Sequence, residues 1–237
     1  MVGIIVQLAI SWLLVWLFEK GNLGVLGIMP AKRRLVDFGI FFLTSSIFCS
    51  SDFFMRMYFA DQRWVLNPDL SATLILTGLW WNIKSVLFEE LIFRGVLLYI
   101  LIKKLGASRA IIISSVAFGI YHWFSQEAFG NPAQMAITFL ITGLAGLLYA
   151  YGYAKTFSLY VPVALHLGWN LTRSVIFSDS IIGNQLFIPA KPIPNIEVSW
   201  FVFICILLIP MGSFLVINYL IIKRRSIVNQ PNHKTTS

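Results

Sequence analysis

The sequence predicts an all-α fold, a polytopic membrane helix bundle with about seven transmembrane helices. Three observations carry this reading. Hydrophobic residues fill 58% of the 237 positions and charged residues only 12%, about half the share of roughly 25% found in soluble domains. The mean hydropathy is correspondingly high, +0.79. Finally, the charges gather in short clusters between apolar runs of about 17 to 25 residues, the length that crosses a bilayer.

Residues 2–18 form the first run, and with no basic residue ahead of it the run reads as a retained helix rather than a signal peptide. A polar connection carries Lys20, Lys32, Arg33 and Arg34 before a second helix over about 35–59. Asp52 and Arg56 stand at i and i+4 near its end, the pattern of a self-paired surface couple. Asn67-Pro68 marks a turn. The third helix, about 70–102, is long for one crossing, so it tilts, projects from the bilayer or begins as an interfacial piece.

A short loop around Gly106 leads to a fourth helix over 110–124. Gly130-Asn131-Pro132 is a stop-and-restart signal, with Pro132 suited to the first turn of the fifth helix. That helix reaches about 153 and holds Gly143 and Gly146, which permit close helix contact. The sixth runs over about 157–177, where Pro162 is expected to loosen the backbone. A proline-bearing loop precedes the seventh, about 198–222. Residues 1–225 are thus one transmembrane helical domain, with a motif-bearing core at about 79–177, and 226–237 read as a disordered polar tail. Cys49 and Cys205 lie in separate apolar runs without metal-site or redox spacing, which suits inert thiols.

The formal net charge of +8 does not point to nucleic acid, because the basic residues occupy the loops that orient membrane spans. Loops after the odd-numbered helices hold twelve Lys and Arg, against Arg56, Arg63 and Lys191 after the even-numbered ones. This bias predicts an integral membrane protein with a cytoplasmic C-terminus.

Against this apolar background, Glu89, Glu90 and Arg94 occupy one membrane helix, where ionisable groups are costly and mark function. Glu90 and Arg94 share a face at i and i+4, whereas Glu89 points about 100° away and needs partners from other helices. His122 lies four residues after Phe118, and Asn170 four after His166. Counted from expected helix ends at Ile102, Arg109 and Phe157, the residues Glu89, His122 and Asn170 are each about 20 Å deep, and His166 about 14 Å.

This set suits hydrolysis. Glu89 can act as general base on water, with His122 holding the water or passing on the proton. His166 and the Asn170 amide can donate to the oxyanion formed when a peptide carbonyl is attacked. Glu90 and Arg94 would support the helix and set the local field. Glu89, His122 and His166 are equally suited to zinc, so a metal-assisted and a metal-free mechanism both stay open.

The motifs Glu-Glu-x-x-x-Arg at 89–94, Phe-x-x-x-His at 118–122 and His-x-x-x-Asn at 166–170 together resemble the CPBP family, the CAAX proteases and bacteriocin-processing enzymes. The resemblance covers about 79–177. It implies an intramembrane endopeptidase of the CAAX prenyl protease 2 type, in which the residues matching Glu89, His122, His166 and Asn170 are catalytic. Family members are usually classed as metalloproteases, although a metal-free glutamate mechanism has been argued for some. The resemblance further implies a peptide, protein or prenylated substrate, presented from the cytoplasmic side, and a bacterial or archaeal plasma membrane as location. Expected partners are membrane lipids and that substrate, with no nucleic acid. The alternative is a bacteriocin-immunity or scaffold protein that works by binding. His-Glu-x-x-His, Gly-x-Ser-x-Gly and paired-aspartate motifs, which mark other membrane proteases, are missing from the sequence.

Overall fold

The computed structural model describes residues 2–190 and 198–225. The expected tail at 226–237 and the Pro192 and Pro194 part of the last loop lie outside the described residues. Among the described residues eight α-helices make up the bundle: α1 (Val2–Glu19), α2 (Lys32–Phe59), α3 (Ala72–Phe93), α4 (Val96–Leu105), α5 (Ala107–Ser125), α6 (Pro132–Thr156), α7 (Tyr160–Leu171) and α8 (Trp200–Lys223). Large apolar side chains such as Leu43, Ile47, Ile112, Leu140 and Leu208 face outward, while Glu90, Arg94, Asn82 and Asn218 are fully buried. That inversion of the soluble pattern is what a lipid surround favours.

The all-α membrane fold is as expected, while the count of seven crossings is not confirmed. Among the described residues four helices, α1, α2, α6 and α8, are long and apolar enough to span. The expected third helix is two, α3 and α4, separated at Arg94-Gly95. Gly95 adopts φ −79° and ψ −135°, outside helical geometry. Arg94 N–H closes the last turn of α3 on Glu90 O (2.8 Å), and Tyr99 N–H opens α4 on Gly95 O (3.2 Å). α7, at 12 residues, is too short to span alone and continues into a π turn, Thr172–Ile176. Pro162 falls in the first turn of α7, where its missing N–H costs no helical bond, so it does not loosen the helix as expected.

Other local signals perform as read. The Asn131 side chain accepts from Gln134 N–H and caps α6, with Pro132 at its first position. Gly146 packs where an added Cβ would stand 3.4 Å from Ser115 Cα, so α5 and α6 meet closely there. α7 is pressed on α2 in the same manner. Ser45 Oγ donates to Leu165 O (2.6 Å), and a Cβ at Gly168 would lie 2.5 Å from Phe42 O. Gly168→Ala is therefore expected to destabilise the bundle by ~1–3 kcal/mol through overpacking against rigid backbone, read as a lowered thermal midpoint in detergent.

The connections sort into two ends. At one, Glu19 pairs with Lys103 (3.6 Å) and Asp37 with Arg225 (2.9 Å), while Tyr160 OH donates to Ile28 O (3.4 Å). At the other, a short antiparallel pair that the sequence did not announce joins β1 (Trp64–Leu66) to β2 (Phe187–Pro189), with Val65 opposite Ile188. Arg56 binds Asp52 (2.6 Å) and reaches Asp179 (3.6 Å) beyond α7. The expected surface couple is thus part of a half-buried network with Arg173, which pairs with Asp179 at 2.8 Å.

Candidate active site

Glu89 and Glu90 divide between two environments because successive helical side chains diverge by about 100°. Glu90 points into the protein and is fully buried with Arg94. Its Oε1 lies 3.2 Å from Arg94 Nη1 and 2.8 Å from His166 Nδ1. Arg94 also donates to Gly146 O (3.3 Å) and stacks over the Phe118 ring at 4.0 Å. Glu89 instead faces a cavity of about 860 Å³ between α3, α5, α6, α7 and α8. Its Oε1 accepts from Ser85 Oγ (3.3 Å). Its Oε2 lies 3.8 Å from His122 Nε2 and 3.9 Å from His166 Nε2.

The protons on the two imidazoles follow from their other neighbours. Phe118 O, 2.8 Å from His122 Nδ1, can only accept, as can the Glu90 carboxylate held by Arg94. In their neutral forms both rings therefore carry the proton on Nδ1 and turn a bare Nε2 toward Glu89. Three acceptors converge with no donor among them, and Glu89 Oε2 is a buried oxygen without a hydrogen-bond partner. A water placed between them can donate to two of the three at once.

His166 is held by more than Glu90: Tyr149 stacks on it (5.2 Å, 22°) and Phe118 meets it edge-on (5.9 Å). Asn170 lies one turn along α7, half-buried on the same cavity wall. Ser174 Oγ stands 2.5 Å from its carbonyl and 2.9 Å from Asn82 Oδ1, which ties α7 to α3.

The structure thus brings together Glu89, His122 and His166, and places Asn170 beside them. His166, which the depth count placed about 6 Å short of Glu89, in fact reaches within 3.9 Å of it. The count from Ile102 ran through the Gly95 break, so it did not follow one straight axis. Ser85 and Tyr149 were missed. Ser85 had a usable signal, a hydroxyl at i−4 on the Glu89 face. Ser85→Ala is expected to lower turnover about fivefold, equivalent to ~1 kcal/mol of hydrogen bonding to Glu89, measured as kcat with KM unchanged.

The expected zinc set of Glu89, His122 and His166 does not form a closed cage. Among the described residues no three His, Cys, Asp or Glu side chains are disposed to hold a metal ion. The spacings of 3.8 and 3.9 Å exceed the edge of about 3.4 Å that tetrahedral ligands near 2.1 Å require. Water fits the gap as it stands.

Residues 71–172 match the family model described as Type II CAAX prenyl endopeptidase Rce1-like. No curated protein and no solved structure matches the chain.

Proposed function

With residues 71–172, the part that carries all three motifs, belonging to the Type II CAAX prenyl endopeptidase Rce1-like family, we propose that this integral membrane protein is an intramembrane endopeptidase working through a water activated by Glu89. The observation that carries the reading is the convergence of Glu89 Oε2, His122 Nε2 and His166 Nε2 on one point of the cavity wall.

Glu89 takes a proton from the water as its oxygen attacks the peptide carbonyl, and a C–O bond forms while the carbonyl π electrons move to oxygen. Asn170, whose side-chain amide has no partner among the described residues, donates to that oxyanion. His166 turns Nε2 toward the same point, where its neutral form orients the water. His122 does the same from the other side. Collapse of the tetrahedral intermediate breaks the C–N bond, and Glu89 returns its proton to the leaving amine. Glu90 and Arg94 act indirectly, by fixing the tautomer and position of His166.

The test compares membranes of cells carrying the wild-type protein or Glu89→Gln by proteomics. A membrane peptide fragment present only with the wild type supports hydrolysis. Identical fragments in both would overturn it and leave a binding role, as in an immunity or scaffold protein.

A further inference from the structure

We infer that the site is loaded from the membrane face opposite the basic loops, so its substrate is an apolar peptide segment presented from the extracytoplasmic side. This rests on the hydrolytic reading and names the substrate class for the same cavity.

The basic residues and the cavity mouth lie at opposite ends of the bundle. Lys20, Lys32, Arg33 and Arg34 flank the α1–α2 connection, Lys103, Lys104 and Arg109 the α4–α5 turn, and Lys155, Lys223, Arg224 and Arg225 the ends of α6 and α8. The contacts of Glu19 with Lys103, Asp37 with Arg225, and Ile28 with Tyr160 gather these segments at one end. Among the described residues the β1–β2 end has only Arg56 and Arg63 in its connections and helix ends, besides Arg173 at the cavity. So strong an asymmetry places the basic end in the cytoplasm.

The cavity reaches the surface at the other end. Gln126 and Glu127, just beyond α5, and Asp179, Ser180 and Ile181, beyond α7, line it there. Toward the basic end it stops at Tyr149, behind which Arg94 and Tyr153 are fully buried. His122 is thirteen residues from Arg109, about 20 Å along α5, which leaves roughly 10 Å of a 30 Å hydrocarbon core between the reacting groups and the β1–β2 face. A tail held at the cytoplasmic surface, as a prenylated C-terminus would be, lies on the wrong side. Trp81, Tyr121, Ile137, Ile141, Trp169 and Met211 on the walls suit an extended apolar stretch entering from outside.

The experiment is sided labelling of the full chain. In a background with Cys49→Ala and Cys205→Ala, single cysteines are placed at the mouth (Ser180→Cys, with Glu127→Cys as a second position) and at the basic end (Ser108→Cys); all three positions are exposed. A membrane-impermeant maleimide added to intact spheroplasts is expected to label the mouth cysteines, while Ser108→Cys reacts only after lysis. The reverse pattern, or equal labelling at both ends, overturns the inference. Labelling needs no catalysis, so a reversed pattern leaves the Glu89 chemistry standing. Conversely, cleavage that ignores Glu89→Gln refutes the hydrolytic reading without touching the sidedness.

Discussion

Replacing Glu89 by glutamine is expected to lower kcat/KM by about 10²–10⁴-fold, the usual contribution of a positioned general base. The substitution keeps the shape and the contact with Ser85 but removes the group that accepts the proton from water. A glutamine amide also donates, so it can bond a bare Nε2 directly and fill the place of the water. The loss should therefore appear in kcat, with KM changed little. Fold stability should not fall, because Glu89 Oε2 has no partner to lose and its burial as a charge is itself unfavourable. An unchanged or raised thermal midpoint alongside lost cleavage is the expected pair of results. Retained cleavage would remove Glu89 from the mechanism, and a lowered midpoint would mark it as structural.

Much of this site could be read from the chain because its parts obey local rules. Glu90 and Arg94 at i, i+4 do pair, and Glu89, turned away from them, does find its partners on other helices. What could not be read was the bond between Glu90 and His166, since it joins positions 76 residues apart whose approach depends on how α7 seats against α2 at Gly168. That bond fixes which ring nitrogen of His166 faces Glu89. The helices were legible from apolar runs and from the Asn131-Pro132 start, whereas the Gly95 break was masked by the apolar run from Val96 to Ile102 that follows it. That α3 is not among the helices apolar enough to span has a related reason. Lys84, Glu89 and Glu90 load α3 with more charge than an ordinary span carries, and the two glutamates among them build the site.

Arg94→Met is expected to destabilise the protein by ~3–5 kcal/mol, as removal of one partner from a buried ion pair does. Arg94 and Glu90 are both fully buried, and the guanidinium also holds Gly146 O and covers the Phe118 ring. Methionine fills much of the space yet leaves the Glu90 carboxylate with only His166 to neutralise it. His166, oriented by that carboxylate, then loses its fixed place beside Glu89, so activity should fall even where the protein still folds. The double variant Glu90→Gln/Arg94→Met separates charge from packing. With both charges gone it should be more stable than the sum of the single effects predicts, with a coupling of about 0.5–3 kcal/mol, measured from unfolding in detergent. Strict additivity would mean that Arg94 acts through Gly146 and Phe118 alone. Arg94→Lys should fall between these variants, because a lysine ammonium lacks the planar fork that serves Glu90 and Gly146 at once while lying flat on Phe118. Rescue of stability without rescue of cleavage in that variant would identify the orientation of His166, and not charge balance alone, as what this arginine provides.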